Sequence, residues 1–229
     1  MSEWWTYTLS DLQSFSLSTY YRLFERYNAA IWPAPAVAFV LGLVTMALLL
    51  GGGPRRGRIV AGILAASWLW VAIAFHATRY STIHWAASYF AWGFGLEAVL
   101  IVVTEIVGGG LVLEGPVDAV SRGGLAIFAF ALLVAPVIGP LLGRSWRQVE
   151  VFGVAPDPTA VATLGALLLA GGRVRWELFV VPAIWCALSG ATLLAMEAPG
   201  AVIPPLAAGL ALLLAAWRVF ARRRAVRRT

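Results

Sequence analysis

Glu97 is the residue whose place in the sequence asks most for a chemical account. It lies about eleven residues into the apolar stretch Ala86–Val107, near the centre of any helix that crosses a bilayer there. A carboxylate at that depth costs several kcal/mol unless it is paired, hydrated or protonated. Gly93 and Thr104 fall on nearly the same helical face, which turns that face toward protein. Two roles fit: a relay for a proton or cation (or a contact to substrate), or a protonated carboxyl hydrogen-bonded to a neighbouring helix. Glu105, nearer the end of the stretch, reads as a side chain that snorkels to the membrane surface.

A second set gathers on one side of the chain's apolar stretches. His76, Arg79, Tyr80, His84 and Trp85 lie between the second and third stretches, and Asp157 and Thr159 at the same level before the fifth. Asn28 and Trp32 lie at the mouth of the first. A histidine near Asp157 could shuttle protons or bind an ion at neutral pH. An interfacial belt of Trp, Tyr, His and Arg meeting headgroups explains the same residues. The candidates for a substrate or ion path are therefore Glu97, His76, Arg79, Tyr80, His84, Asp157 and Thr159.

Other chemistry is closed off by residue types. All seventeen basic residues are arginine, which excludes a Schiff base, a pyridoxal aldimine and a P-loop lysine. Cys186 is the single cysteine, so no intramolecular disulfide or four-cysteine metal site can form. His76 and His84 alone cannot supply three-histidine zinc, and their spacing around a loop disfavours bis-histidine haem. No Gly-x-Ser-x-Gly elbow or strand–loop–helix nucleotide motif occurs. A mixed His/Asp metal site stays open without support; no catalytic group is assigned, and no cofactor is expected.

Two backbone features add to the candidates. Pro156-Asp157-Pro158 breaks the chain beside a short apolar stretch, and interrupted helices point to transport sites. Such a break is expected to open Val154 and Ala155 to a cavity. The sixth stretch carries Pro182, Cys186, Ser189 and Gly190 along one face. There the proline frees a carbonyl one turn earlier, or simply kinks the helix for packing.

The elements that position these residues follow from composition. The chain of 229 residues is 61% hydrophobic and 12% charged, with a mean hydropathy of +0.83. Soluble domains carry roughly 45–50% apolar and about 25% charged residues, so a polytopic membrane protein is implied. The sequence pI of about 10.2 does not signal nucleic acid, because the arginines fall between apolar spans.

Seven apolar stretches run roughly Ile31–Leu50, Ile59–Ala77, Ala86–Val107, Gly123–Leu142, Thr159–Gly171, Leu178–Met196 and Val202–Phe220. Six reach the roughly 20 residues that span a core of about 30 Å. The fifth falls short unless it recruits Val151–Ala155. With seven crossings, twelve of the seventeen arginines share one side: Arg55, Arg56, Arg58, Arg122, Arg173, Arg175, and the tail from Arg218 to Arg228. Arg22, Arg26, Arg79, Arg144 and Arg147 lie opposite. The positive-inside rule then places the N-terminus outside and the C-terminus in the cytoplasm.

Ahead of these stretches, residues 1–21 carry Glu3 and Asp11 but no basic residue, so no cleaved signal is expected. Leu17, Tyr20, Tyr21, Phe24 and Tyr27 share one helical face, opposite Arg22, Glu25 and Arg26. With Trp4 and Trp5 nearby, this reads as a short interfacial amphipathic helix; a helix packed onto the protein's own ends fits equally. The expected fold is all-α: residues 1–30 an outer interfacial segment, 31–220 a seven-helix transmembrane bundle, and 221–229 an arginine-rich cytoplasmic tail. Glycine runs at Gly51–Gly53 and Gly108–Gly110 end helices on the inner side. Thr159, Thr163, Ala166 and Ala170 give the fifth helix a small-residue face. ALLLGGGPRR at Ala47–Arg56 and ALLLAGGRVR at Ala166–Arg175 match at seven of ten positions, as a parallel repeat of helices one to three on five to seven would produce.

Four segments look familiar together: YNAAIWPAP at Tyr27–Pro35, WLWVAIAFHATRYSTIHWAASYF at Trp68–Phe90, VFGVAPDPTAVATLGALLLA at Val151–Ala170, and VPAIWCALSGAT at Val181–Thr192. The chain resembles, over nearly its whole length, an uncharacterised family of short bacterial multi-pass membrane proteins. That family's second helix ends in Tyr-His followed by Ile-Asn-Pro-Ala-Ala; here the residues are Phe75-His76 and Ile83-His84-Trp85-Ala86-Ala87. Its loop before the fifth helix often reads Gly-x-Pro-Cys-Pro-Thr, and here it is Val154-Ala155-Pro156-Asp157-Pro158-Thr159. A metal-ligand role for that cysteine therefore does not carry over to Asp157. The resemblance implies the architecture and a cell-membrane location, and no established activity.

Three functions remain open. The first is a transporter or facilitator of a small molecule or ion that uses a midplane acid, its partners being the bilayer and that solute. The second is a membrane-embedded enzyme acting on a lipid or lipid-linked substrate through the outer His/Asp/Arg cluster. The third is a non-catalytic sensor or assembly partner. Self-association as a homo-oligomer is compatible with each.

Overall fold

The computed structural model describes residues 15–108 and 111–226. Trp4, Trp5, the Gly109-Gly110 part of the second glycine run, and Arg227 and Arg228 lie outside them. The described residues are helical throughout, apart from turns and isolated bridges of Leu113 to Gly53 and Ala170.

Helix α1 (Leu17–Ala30) starts at Ser16, whose hydroxyl accepts from the Thr19 amide at 3.3 Å. It buries Tyr20, Phe24 and Tyr27 at i, i+4 and i+7 and leaves Arg22 and Arg26 exposed. The buried rings pack on the protein itself: Phe24 and Tyr27 lie 5.1 and 5.4 Å from Phe75.

The other α-helices follow. These are α2 (Ala34–Gly51), α3 (Pro54–Trp70), α4 (Ala87–Ile101), α5 (Ala119–Ala129), α6 (Ala135–Leu141), α7 (Pro156–Leu167), α8 (Glu177–Ala195) and α9 (Ile203–Val226). Helices α3 and α4 continue in wider π turns at Val71–Ala77 and Val102–Val107, and Phe130–Val134 joins α5 to α6 in the same way. Counting these continuations, six helices are long and apolar enough to cross a membrane, the make-up of a multi-pass membrane protein. Their outer faces carry apolar side chains such as Val44, Ile73, Val99, Ile184 and Leu213.

Helix α7 is different. Its twelve residues extend only about 18 Å at 1.5 Å per residue, too short to cross alone. All of them but Asp157 are buried, and α3, α5, α8 and α9 pack around it. The closest approach is to α5, where Gly124 and Gly165 stand so near that a Cβ on Gly165 would lie 2.7 Å from the Gly124 carbonyl oxygen. Small residues make that backbone contact feasible.

One end of the bundle is tied by backbone. The Gly53 and Gly171 amides donate to Leu113 and Val112 carbonyls at 2.7 and 2.8 Å. Gly52, at φ +65°, turns α2 into this junction, in the left-handed region glycine adopts without strain. Asp118 caps α5 by accepting from the Ser121 amide at 2.6 Å, while Ser121 Oγ accepts from the Asp118 amide at 3.0 Å. Arg218 reaches Asp118 at 3.3 Å and donates to the Ala170 carbonyl at 2.9 Å. Burial raises the Asp118 carboxyl, but the Ser121 hydrogen bonds and Arg218 outweigh it and hold it below the ordinary range. Both windows of the ALLL repeat end at this junction.

Candidate functional site

The segment leading into α7 is held by side chains from α1 and α7. Tyr27 Oη donates to the Val154 carbonyl at 2.9 Å and accepts from Trp70 Nε1 at 3.0 Å. Asn28 Nδ2 donates to the Arg147 and Val149 carbonyls at 3.0 and 2.8 Å. Thr159 Oγ1 accepts from the Gly153 amide at 2.9 Å and donates to the Ala155 carbonyl at 2.6 Å. One turn on, Thr163 Oγ1 donates to the Thr159 carbonyl and accepts from Trp68 Nε1. These bonds satisfy backbone groups that a short buried helix would otherwise leave orphaned. Thr159 therefore acts on the backbone, locking the start of α7.

Asp157 occupies the first turn of α7, where a carboxylate is favoured by the helix dipole. Its Oδ1 accepts from Trp185 Nε1 at 2.8 Å and its Oδ2 from Ser189 Oγ at 2.7 Å. Trp185 and Ser189 lie eight and twelve residues into α8, which places Asp157 about 12–18 Å along that helix, near its middle. The carboxylate is half-buried and lines a cavity of about 310 Å³. Tyr21, Arg144, Gln148 and Glu150 share the polar part of its lining, and Phe130, Ile138, Pro158, Leu193 and Ile203 its apolar walls.

Arg144 is engaged at this cavity through both Nη atoms, while its buried Nε has no hydrogen-bond partner among the described residues. Its Nη1 lies 3.0 Å from Glu150 Oε1, its Nη2 donates to the Gln148 carbonyl at 2.7 Å, and its guanidinium sits 4.0 Å over the Tyr21 ring. Burial pushes the Tyr21 phenol up, with Arg144 opposing and Glu150 adding to the shift. Tyr20 beside it is raised further, by burial and then by the Glu150 and Asp157 charges.

The structure divides the other candidates. His76 lies in the π turns of α3, fully buried, and neither ring nitrogen has a hydrogen-bond partner among the described residues. Aromatic rings enclose it, with Phe94 at 4.5 Å and Trp185 at 4.9 Å. Trp185 thus stands between His76 and Asp157, touching both. Tyr80 is buried and stacks on Phe75 at 5.6 Å. His84 is half-buried, its Nδ1 accepting from the Ala86 amide at 3.0 Å, and burial lowers its pKa. Arg79 is half-exposed on the turn before Tyr80. Val154 and Ala155 are only 3% and 2% exposed. They do not line the cavity at Asp157 and Pro158, because Tyr27 and Thr159 pin the preceding loop; Val154 lines a separate groove with Ala38 and Ser67.

Glu97 is fully buried at the middle of the span Ala87–Val107, and neither carboxyl oxygen has a hydrogen-bond partner among the described residues. It is not among the residues lining the 310 Å³ cavity. Glu105 does not snorkel: it is 1% exposed and Arg175 Nε lies 3.1 Å from its Oε1. Among the described residues, no three His, Cys, Asp or Glu side chains gather into a set able to hold a metal ion.

Reading the sequence alone missed the Arg144–Glu150 pair and Trp185. The Trp185–Ser189 spacing of four, on a helix facing a Pro-Asp-Pro break, was the available signal for the latter. A family model described as a family of unknown function, DUF6064, matches residues 17–226. No curated protein and no solved structure matches the chain.

Proposed function

Given that the chain belongs to DUF6064, a family of unknown function, we propose its role from the site's geometry: a facilitator or transporter that holds a small molecule or ion where α7 begins. The observation that carries this reading is α7 itself, a helix that starts at mid-bundle with a half-buried carboxylate facing a cavity. Transporters build solute sites at such interrupted helices, because the break frees polar groups where a continuous helix presents none.

In this reading α7, with its buried approach at residues 151–155, is the seventh transmembrane element, reaching the arginine-rich end. Residues 1–30 form the outer segment, with α1 along the membrane surface, and residues 221–229 the cytoplasmic tail. The cavity faces outward from the inner membrane of a bacterial cell, as the arginine distribution favours. Glu97, buried at mid-span without a hydrogen-bond partner among the described residues, is the acid through which a proton or cation passes on the way across.

The test is entry of small solutes into proteoliposomes, followed by stopped-flow light scattering over a panel of polyols, amino acids, amines and inorganic salts. At least one solute should enter faster than into protein-free liposomes, and Ala135→Trp, which fills the cavity from α6, should remove the difference. Identical rates for every solute, with and without protein, would overturn the proposal.

A further inference from the structure

Three charged side chains line the cavity at α7: Arg144, Glu150 and Asp157. Arg144 spends its charge on Glu150, at 3.0 Å, and is further occupied by the Gln148 carbonyl and the Tyr21 ring. Asp157 receives only neutral donors, the Trp185 indole and the Ser189 hydroxyl. With Asp157 ionised, the lining carries one net negative charge.

The backbone around it is short of donors. Pro136, Pro140, Pro158, Pro199 and Pro204 all line the cavity, and a proline has no N–H to give. Pro140, inside α6, also frees the carbonyl one turn before it. A helix N-terminus ordinarily offers N–H groups to an anion, but here Pro156 and Pro158 remove two of them and Asp157 supplies a carboxylate instead. Acceptors, apolar walls and an uncompensated acid make a poor anion site and a good cation site. The volume of about 310 Å³ holds about ten non-hydrogen atoms, taking roughly 30 Å³ for each water-sized unit.

We infer that the cavity binds a monovalent organic cation, an ammonium on a small apolar body, with Asp157 as its counter-ion. The inference rests on the facilitator reading and names its substrate class. An ammonium could come from a free amine or from an ethanolamine headgroup; a volume of about ten atoms, which holds a small amine whole, favours the free amine.

The experiment is thermal melting of the full chain in nanodiscs of phosphatidylglycerol, a lipid without an amine. The additives are n-butylammonium chloride, n-butanol and sodium butyrate at matched ionic strength. A ligand of the native state raises the midpoint in proportion to its occupancy. Butylammonium should raise it with dose, and butanol and butyrate should not. Asp157→Asn keeps the shape and an acceptor for Trp185, and should weaken the apparent affinity by about tenfold or more, the loss of a charge-assisted contact.

Glu150→Gln leaves Arg144 as a free positive charge in the lining and should weaken it as well, which keeps the test valid if Asp157→Asn does not fold. An equal response to butanol, any response to butyrate, or no response to butylammonium would overturn the cation assignment. In nanodiscs containing phosphatidylethanolamine, an unchanged response supports the free amine. Loss of the response there assigns the ammonium to the lipid and overturns the soluble source. Butylammonium binding without solute entry would refute the facilitator alone, and entry of a non-cationic solute without it would refute the cation class alone.

Discussion

Gly165→Ala should separate α5 from α7 and destabilise the whole bundle. The added Cβ would lie 2.7 Å from the Gly124 carbonyl oxygen, 2.7 Å from the Phe128 amide nitrogen and 3.2 Å from Phe128 Cα. Ordinary contact begins near 3.4 Å, so the helices must part by about 0.7 Å. The obstructing atoms are helical backbone and cannot rotate away. Overpacking of this kind costs roughly 1–3 kcal/mol, against about 0.5–1 kcal/mol regained from replacing glycine in a helix. A net loss of up to about 2.5 kcal/mol is expected, and roughly 1–3 kcal/mol relative to a glycine replacement without the clash. Gly93→Ala on α4 is the matched control, because a Cβ there meets nothing within 4 Å; it should be neutral or stabilising. Reversible unfolding in mixed micelles, titrated with dodecyl sulfate and read by tryptophan fluorescence, compares the two. Equal stability of both variants would refute backbone contact between α5 and α7.

Three further outcomes are expected. Glu97→Gln keeps the shape of an unpartnered buried carboxyl and should leave the melting midpoint nearly unchanged while slowing solute entry into proteoliposomes; wild-type entry rates would sink the relay. Asp118, held below the ordinary carboxylate range in the folded protein, contributes stability that is present above its unfolded pKa and lost as pH falls through the folded one. Melting between about pH 5 and pH 3 should therefore fall more steeply for wild type than for Asp118→Asn, and parallel curves would remove that contribution. A reporter active only in the cytoplasm should be active when fused after Thr229 and silent when fused at Gly200, in the α8–α9 loop; equal signals at both sites would contradict the proposed orientation.

The helices were legible wherever a long apolar run did the work. All six long stretches coincide with candidate spans, and the fifth was already too short at the sequence level. Its complete enclosure was not legible, because hydropathy cannot separate a helix wrapped by protein from one facing lipid. The local reading of Glu97 as a buried mid-span acid holds, since its depth follows from counting residues along one helix. His76 and His84 illustrate the opposite case. The π turns at Val71–Ala77 change the angular step along α3, so His76 turns into the aromatic core while His84 caps a turn. Arg144 and Glu150 pair across an irregular loop, where no periodicity tells which side chains face each other. Asp157 stood out through its two flanking prolines, but its partners come from another helix, 28 and 32 residues away.

The central claim, that solute passes through the cavity at the start of α7, is tested most directly by closing that cavity chemically. Val149→Cys places a thiol in its lining, and the native Cys186 is buried out of reach. Proteoliposomes carrying this variant are treated with a membrane-impermeant methanethiosulfonate, and solute entry is measured before and after, with Val154→Cys as the buried control. The account predicts that labelling Val149→Cys reduces entry to the rate of protein-free liposomes, while Val154→Cys neither labels nor slows. Stoichiometric labelling at position 149 with entry unchanged would contradict it.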